Sequence, residues 1–167
     1  MLLVLITIYF MRLLAYNLST FTRLNSTNMR IDFYLLTTQD THDRNIFICR
    51  LVEKIYQQNL SMYVHCKNRD ESHALDELLW TFSDTSFVPH CLEEESHDFP
   101  TPIKLGFDKT PKPHDVLINL STSVPIFYTK FNRIAECVIK NEDDLAISRE
   151  HYQFYKSQNI EIKTHKI

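Results

Sequence analysis

Short apolar segments alternate with segments of helical period along residues 29–167, and this alternation limits the folds that the chain can adopt. Strands that are joined through helices run parallel in one sheet, with right-handed crossovers. The apolar segments predict strands at residues 31–36, 61–66, 103–107, 116–120 and 134–139. The pattern is typical of a single Rossmann-like α/β domain over residues 29–167, with a mostly parallel sheet and helices on both of its faces.

The predicted helices are marked by capping residues and by apolar stripes. Asp43 or Asn45 is a suitable cap for a first helix that reaches about Gln58. A second helix ends at Phe82, and residues 125–131 form a short one. The letters NEDD supply a cap and first-turn acids for a last helix over residues 143–157.

Glycine occurs once in the sequence, at Gly106. P-loops and dinucleotide-binding turns need several glycines, because the backbone amides must approach phosphate closely. The first predicted strand instead leads into TTQDTHDRN, which has neither glycine nor the lysine of a P-loop. We therefore expect no nucleotide-binding loop and no cofactor. The alternative is a degenerate nucleotide-binding or hydrolase-like enzyme.

The charge of the chain does not favour direct binding to nucleic acid. The first 28 residues contain two of the 18 basic residues and none of the 21 acidic ones, so residues 29–167 carry 16 basic and 21 acidic side chains, a formal charge of −5. A strong nucleic-acid binder needs a basic surface for phosphate contacts. Any contact with DNA is therefore expected to be indirect.

The cysteines, histidines and serines do not form a recognisable site. The four cysteines, at positions 49, 66, 91 and 137, lack CxxC spacing, which is typical of reduced thiols in a cytoplasmic protein. His65-Cys66 and His90-Cys91 cannot chelate as pairs, because neighbours on a strand point to opposite faces. The serines that follow the strand at 116–120 lack the flanking glycines of a nucleophile elbow. We expect no metal site and no catalytic residue.

Residues 1–28 differ in composition from the rest of the chain. They begin with MLLVLITIYF and continue into a polar Ser/Thr/Asn segment. The apolar run is shorter than the roughly 20 residues of a membrane span, and no basic residue precedes it as in a secretory signal. We predict a non-native or disordered extension, with translation starting at Met29 and no membrane contact. A membrane tether through residues 1–28 is the alternative.

Trp80 does not lie on the core face of the second predicted helix. The apolar stripe of that helix consists of Ala74, Leu75, Leu78, Leu79 and Phe82. Trp80 is about 170° from the centre of this stripe, on the side of Asp76 and Glu77. An apolar loop tip, residues 87–89, follows the helix. This arrangement indicates a surface that buries a partner, and the alternative is that later chain covers Trp80.

The last predicted helix has an exposed face with two cations and an aromatic ring. Arg149, Tyr152 and Lys156 fall within about 60° of one another, nearly opposite Ile147 and Phe154. Arginine pairs with carboxylates in a bidentate manner, and the ring adds apolar contact. The face suits a peptide that ends in acids and an aromatic residue, and the alternative is an ordinary solvated helix face.

The letters LDELLWTF…SFVPH, with DFYLL near residue 33 and REHYQFYK near residue 152, carry a family resemblance. Residues 29–166 resemble the chi subunit of bacterial DNA polymerase III, with the segments in the family's order. The resemblance implies a non-catalytic replication adaptor within a DNA-directed DNA polymerase holoenzyme. In the family, chi connects the clamp loader, through the psi subunit, to the C-terminal tail of single-stranded DNA-binding protein.

The resemblance also implies roles for individual residues. Trp80, Phe87, Val88 and Pro89 match the family's surface for psi, which binds chi as a 1:1 heterodimer. A repair helicase competes with psi for that surface in the family. The same surface in this chain is therefore expected to bind psi, the helicase or both.

The tail-binding site of the family matches this chain only in part. The resemblance assigns Arg149, Tyr152, Lys156, Val138 and Gln153 to this site, and of these Arg149, Tyr152 and Val138 stand at matching positions. Two basic positions of the family are occupied here by Leu145 and Gln153. The resemblance therefore implies a tail site with fewer cations, for which Lys156 and His151 compensate in part.

Overall fold

The computed structural model describes residues 29–95, 101–112 and 114–167, which contain a sheet of seven strands and three α-helices. The predicted N-terminal extension, residues 1–28, lies outside the described residues. In chain order the elements are β1 (Arg30–Leu35), α1 (Thr41–Tyr56), β2 (Met62–His65), α2 (Arg69–Thr81), β3 (His90–Leu92), β4 (Ile103–Gly106), β5 (Val116–Asn119), β6 (Arg133–Val138), α3 (Glu142–Ser157) and β7 (Glu161–Lys166). Single 3₁₀ turns occur at Glu93–Glu95 and Tyr128–Lys130.

All the strand pairs are parallel, in the order β3-β4-β2-β5-β6-β1-β7. The helices lie on both faces of this sheet, since α1 and α2 pack in one apolar cluster and α3 packs in another. We call these the α1 face and the α3 face. The predicted α/β fold with a parallel sheet is therefore confirmed.

The two faces have separate cores because successive residues of a strand point to opposite sides. On β1, Ile31 and Phe33 pack on the α3 face, whereas Tyr34 packs on the α1 face. The α1-face core includes Ile48, Val52, Ile55, Leu75, Leu79 and Val116. The α3-face core includes Tyr63, Leu117, Phe127, Phe131, Ile134 and Tyr155.

The first helix begins earlier than its predicted caps, Asp43 and Asn45. Asp40 is the N-cap, and its carboxylate accepts a hydrogen bond of 2.8 Å from the backbone N–H of His42. Asp43 lies inside the first turn and accepts a bond from the Thr38 hydroxyl instead, at 2.7 Å. The prediction was wrong because several acids and amides before the apolar stripe are equally suitable caps in sequence.

The cap of the last helix agrees with its sequence signal. The Asn141 side chain accepts a hydrogen bond of 2.7 Å from the backbone N–H of Asp144. Glu142, Asp143 and Asp144 then place negative charge in the first turn of α3, where the helix dipole favours it.

Arg44 connects the beginnings of all three helices. Its guanidinium lies 2.7 Å from a carboxylate oxygen of Glu71 in α2 and 3.7 Å from one of Asp144 in α3. Arg44 itself belongs to α1 and is buried. These ion pairs hold the helices at the edge of the sheet where the strands end.

Two strands and one helix differ from the sequence expectation. Neither β3 nor β7 was predicted, because β3 has three residues and β7 reads as the polar letters EIKTHK. β7 is an edge strand whose residues are mostly exposed, so it lacks the apolar run that marks a buried strand. Within residues 125–131, the predicted helix is only the 3₁₀ turn.

The position of the single glycine is explained by close packing. A Cβ atom at Gly106 would collide with the hydroxyl of Tyr63 and lie 2.9 Å from a carboxylate oxygen of Glu93. Gly106 therefore lets side chains from β2 and from the turn after β3 approach the backbone of β4. It serves packing and does not form a phosphate-binding turn.

The part of the chain that the structure describes contains no helix that is long and apolar enough to cross a membrane. The alternative of a membrane tether depends on residues 1–28, which lie outside this part.

Candidate protein-binding surfaces

Trp80 and Phe87 form an exposed aromatic pair at the end of α2. Their side chains are 53% and 71% exposed, and their ring centroids lie 5.8 Å apart. Pro89, in the same loop, is half-buried. We call Trp80, Phe87 and Pro89 the Trp80 surface. Trp80 therefore lies off the core face, as the helical period predicts, and no described chain covers it fully.

The ring of His90 packs against the ring of Trp80. The two ring centroids are 4.5 Å apart, and the imidazole is buried. Nδ1 of His90 lies 2.6 Å from the carbonyl oxygen of Val88, and Nε2 lies 3.3 Å from that of Asp76. These contacts hold the His90 imidazole in place, and the imidazole in turn holds the indole ring of Trp80. The sequence did not indicate this role, because His90 belongs to a strand too short to recognise.

Val88 is placed differently from the other predicted residues of this surface. Its side chain is 2% exposed and packs in the α1-face core with Leu79 and Leu92. A partner cannot contact this side chain without opening the core. Val88 instead fixes the loop so that Phe87, the preceding residue, points outward.

On α3, the predicted cationic face is exposed. Arg149, Lys156 and Gln153 all lie on the surface. Tyr152 is 37% exposed, and its ring packs against Phe33 of β1 with centroids 5.7 Å apart. Among the described residues, no carboxylate lies within ion-pair distance of Arg149 or Lys156. We call these four residues the α3 surface.

Two further residues of the predicted tail site lie beneath the α3 surface. Val138 is 5% exposed and belongs to the α3-face core. Leu145 is half-buried and packs against the same core. Phe154, expected on the buried side, is 38% exposed and contacts Tyr128 at a centroid distance of 5.5 Å. The helix is rotated so that His151 and Tyr155 face the sheet.

A buried polar network holds α3 in this rotation. The Glu136 carboxylate of β6 accepts hydrogen bonds from the Asn119 amide at 3.1 Å and from the Tyr155 hydroxyl at 2.9 Å. Its other oxygen lies 3.2 Å from Nδ1 of His151. Burial lowers the pKa of His151, but the hydrogen bond and negative charge of Glu136 outweigh it, so this pKa is raised. The network fixes the direction in which Arg149 and Tyr152 point.

A cavity of about 330 Å³ opens where β5 and β6 end, beside the start of α3. In open α/β sheets, ligands bind at such edges. The charged residues that line it include Arg44, Lys67, Glu71, Glu136, Asp143 and Asp144. Arg44 is already paired with Glu71, and the remaining carboxylates disfavour a phosphate. The geometry does not match that of a nucleotide site.

Comparison with known proteins identifies the family. A sequence profile described as "DNA polymerase III chi subunit, HolC" matches residues 29–163. The chain belongs to this family. DNA polymerase III subunit chi of Pseudomonas aeruginosa is 35% identical over 139 residues, which cover 83% of this chain and 96% of that protein. The chi subunits of Haemophilus influenzae and Escherichia coli are 28% and 26% identical, over 81% and 79% of this chain and 95% and 94% of their own lengths.

The family resemblance predicted from the sequence is therefore confirmed. The family consists of accessory subunits of DNA polymerase III, so the chain acts in DNA replication and associates with the polymerase complex. Among solved structures, T4 UvsW is similar with a TM-score of 0.60, over 84% of this chain and 42% of that one. The identity is 12%, so this likeness shows the fold alone.

Proposed function

We propose that the chain is a non-catalytic adaptor that holds psi on the Trp80 surface and the tail of single-stranded DNA-binding protein on the α3 surface. It would thereby connect the clamp loader to protein-coated single-stranded DNA. The observation that carries this proposal is the presence of two exposed aromatic sites on opposite faces of one sheet.

The positions of the two surfaces support simultaneous binding. Trp80 belongs to α2, which packs near β3 and β4, whereas Tyr152 belongs to α3, which packs near β6 and β7. From β4 to β6 there are three strand spacings, or about 14 Å across the sheet. The thickness of the sheet with its helices adds to this separation, so partners on the two surfaces need not collide.

The Trp80 surface has the properties of a binding hot spot. Large aromatic side chains at a rigid site supply most of the binding energy in many interfaces. Trp80 is held by His90, so little conformational entropy is lost when a partner covers it. The same features would serve psi or a competing repair helicase.

The α3 surface provides two cations, Arg149 and Lys156, that have no ion-pair partner among the described residues, beside the aromatic ring of Tyr152. In a complex, the guanidinium of Arg149 would pair with carboxylates of the acidic tail, and Tyr152 would contact its apolar end. Lys156 lies one turn further along and would add charge at the solvent-exposed side. Leu145 and Gln153 contribute no charge, so affinity depends mainly on Arg149.

Isothermal titration calorimetry with purified psi and with the tail peptide tests the proposal. We expect Trp80→Ala and Phe87→Ala each to weaken psi binding by about 2 kcal/mol, or roughly 30-fold, and to leave tail binding unchanged. We expect Arg149→Ala to weaken tail binding by about 2 kcal/mol and to leave psi binding unchanged. The variants of the Trp80 surface serve as controls for tail binding, and Arg149→Ala serves as the control for psi binding.

Thermal unfolding of the same variants shows whether the proteins remain folded. Because Trp80 and Arg149 are exposed, we expect changes in Tm of only a few degrees. If folded Trp80→Ala binds psi as tightly as the unmodified chain, or folded Arg149→Ala binds the tail as tightly, the corresponding surface is misassigned.

A further inference from the structure

A groove lies on the α1 face between α1 and the sheet, beside β1, β6 and Ile167, the residue that follows β7. Its volume is about 350 Å³. It is lined by Tyr34, Phe47, Arg50, Leu51, Lys54, Ile55, Gln58, Arg133 and Ile167. We call it the α1 groove. None of the residues of the Trp80 surface or of the α3 surface lines it, and the α3 surface lies on the opposite face of the sheet.

Among the described residues that line the α1 groove, three are cations and none is an acid. Arg50 and Lys54 are exposed on α1, four residues apart and therefore neighbours on the helix surface. Arg133 belongs to the opposite wall. No described carboxylate lies within ion-pair distance of Arg50 or Lys54. Three cations without an acid among the lining residues are notable in a chain whose formal charge is −3.

One buried carboxylate, Asp32, pairs with Arg133 but with neither Arg50 nor Lys54. Asp32 is 1% exposed and lies 3.0 Å from Arg30, 2.6 Å from Arg133 and 2.8 Å from His165. Burial raises the pKa of Asp32, but the hydrogen bonds from His165 and Arg133 outweigh it and lower the pKa overall. Arg30 and Arg133 together carry two positive charges against the single negative charge of Asp32, so the wall that includes Arg133 keeps a net positive charge.

The floor of the groove is apolar and rigid. Tyr34, Leu51 and Ile55 are buried, and the ring of Tyr34 packs against that of Phe47 with centroids 5.4 Å apart. On its other side Tyr34 stacks on His165 at 4.8 Å. Such a floor can receive an aromatic or large aliphatic side chain without rearranging.

The length of the groove fits a short extended peptide. Phe47 and Gln58 are eleven residues apart on and just beyond α1, so the lined path is about 16 Å long at ~1.5 Å per residue. An extended chain advances about 3.3 Å per residue, so roughly five residues span this path.

We propose that the α1 groove is a third docking site, which binds an extended acidic peptide segment of a partner protein through carboxylates and one bulky apolar side chain. Arg50 and Lys54 receive the carboxylates, and the floor around Tyr34 receives the apolar side chain. Arg133, whose guanidinium donates to Asp32 and to the Tyr34 hydroxyl, adds positive charge on the opposite wall. This site is independent of the proposed roles of the Trp80 surface and of the α3 surface.

The test begins with a phage-displayed library of random seven-residue peptides. The library is selected on the full chain carrying Arg149→Ala, so that the α3 surface does not compete for acidic peptides. The most enriched peptide is synthesised with a fluorescent label, and its binding is measured by fluorescence anisotropy. The proteins compared, all in the Arg149→Ala background, carry no further change, Arg50→Glu with Lys54→Glu, or the control pair Lys109→Glu with Lys112→Glu.

The control pair makes the same change in net charge at two exposed lysines that do not line the groove. We expect the enriched peptides to combine acids with an aromatic or large aliphatic residue. We expect the Arg50/Lys54 pair to weaken binding at least tenfold, and the Lys109/Lys112 pair to weaken it less than threefold. Amide replacements of the acids in the peptide should also weaken binding at least tenfold.

Three results would overturn the proposal. The enriched peptides could lack acids, the Arg50/Lys54 pair could bind them as tightly as the parent protein, or both charge reversals could weaken binding equally. Because the selection excludes Arg149, none of these results bears on the α3 surface.

Discussion

Glu136 is a buried carboxylate among the apolar residues of β6, and its hydrogen bonds determine how α3 packs on the sheet. It binds Asn119, His151 and Tyr155, all of which are buried. A buried carboxylate is stable only when such partners satisfy it. The exposed positions of Arg149 and Tyr152 are therefore a consequence of contacts made on the other side of the same helix.

The exposure of Trp80 could be predicted from the sequence, whereas its packing against His90 could not. The helical period places Trp80 opposite the apolar stripe, and this depends only on nearby residues. The tilted ring contact of Trp80 with His90 and the burial of Val88 depend on how the loop returns to the sheet at β3. Glu136, the charged residue in the sequence IAECV, was a signal of a buried polar network. The partners of Glu136 lie 15–19 residues away in sequence, so the sequence did not identify them.

We predict that the His151–Glu136 pair stabilises the fold more at acidic than at alkaline pH. The pKa of His151 is raised in the folded chain, so its stabilisation is fully present below its ordinary pKa of about 6.5 and is lost as the pH rises through the raised value. His151→Gln should lower the free energy of unfolding by about 2 kcal/mol at pH ~5.5 and by less than about 1 kcal/mol at pH ~9. Urea unfolding at the two pH values measures this.

The control for this prediction is His42→Gln, which changes an exposed histidine at the start of α1. It should alter the free energy of unfolding by less than about 0.5 kcal/mol at either pH. A loss in His151→Gln that is equal at both pH values, or larger at alkaline pH, would show that charge on the imidazole does not stabilise the fold.

At the scale of the elements, α3 serves as both core and binding surface. Of the residues of this helix only His151 and Tyr155 are buried, and the others are partly or fully exposed. Gln153 is exposed, while Leu145 also packs against the core. Replacing Leu145 with a cation would therefore disturb a core contact, whereas replacing Gln153 would not.

Restoring the family's charges on α3 should strengthen tail binding. We predict that Leu145→Lys with Gln153→Lys tightens binding of the tail peptide by about 1 kcal/mol and makes it more dependent on salt, because exposed ion pairs are each worth about 0.2–1 kcal/mol and are screened. The methylene groups of a lysine at position 145 can still cover the core. Calorimetry at two salt concentrations measures both effects.

Gln153→Lys alone is the matched control for the cost of replacing Leu145. It should give about half of the gain and leave Tm unchanged, because Gln153 makes no core contact. An increase in affinity that is the same at both salt concentrations would be incompatible with added ion pairing.

Elements with apolar runs were predictable, and those without were not. The strands β1, β2, β4, β5 and β6 lie within two residues of their predicted bounds, because both of their faces are covered. β7 was missed because an exposed edge strand needs no apolar pattern, and its charged residues protect the open edge. The α1 groove involves β1, β6 and the end of the chain, so only the tertiary fold brings its cations together.

For the molecule as a whole, the family match spans residues 29–163. We predict that translation starts at Met29, since residues 1–28 differ in composition from the rest. Intact mass and N-terminal sequencing of the protein purified from its host measure this. Peptides from residues 1–28 in the purified protein would contradict it.

We propose that one sheet holds two partners at once, on opposite faces. Light scattering after size-exclusion chromatography of the full chain mixed with psi and single-stranded DNA-binding protein tests this directly. We expect a single complex that contains all three proteins, from which Trp80→Ala releases only psi and Arg149→Ala releases only the single-stranded DNA-binding protein. Mutual exclusion of the two partners, or loss of both from either folded variant, would contradict it.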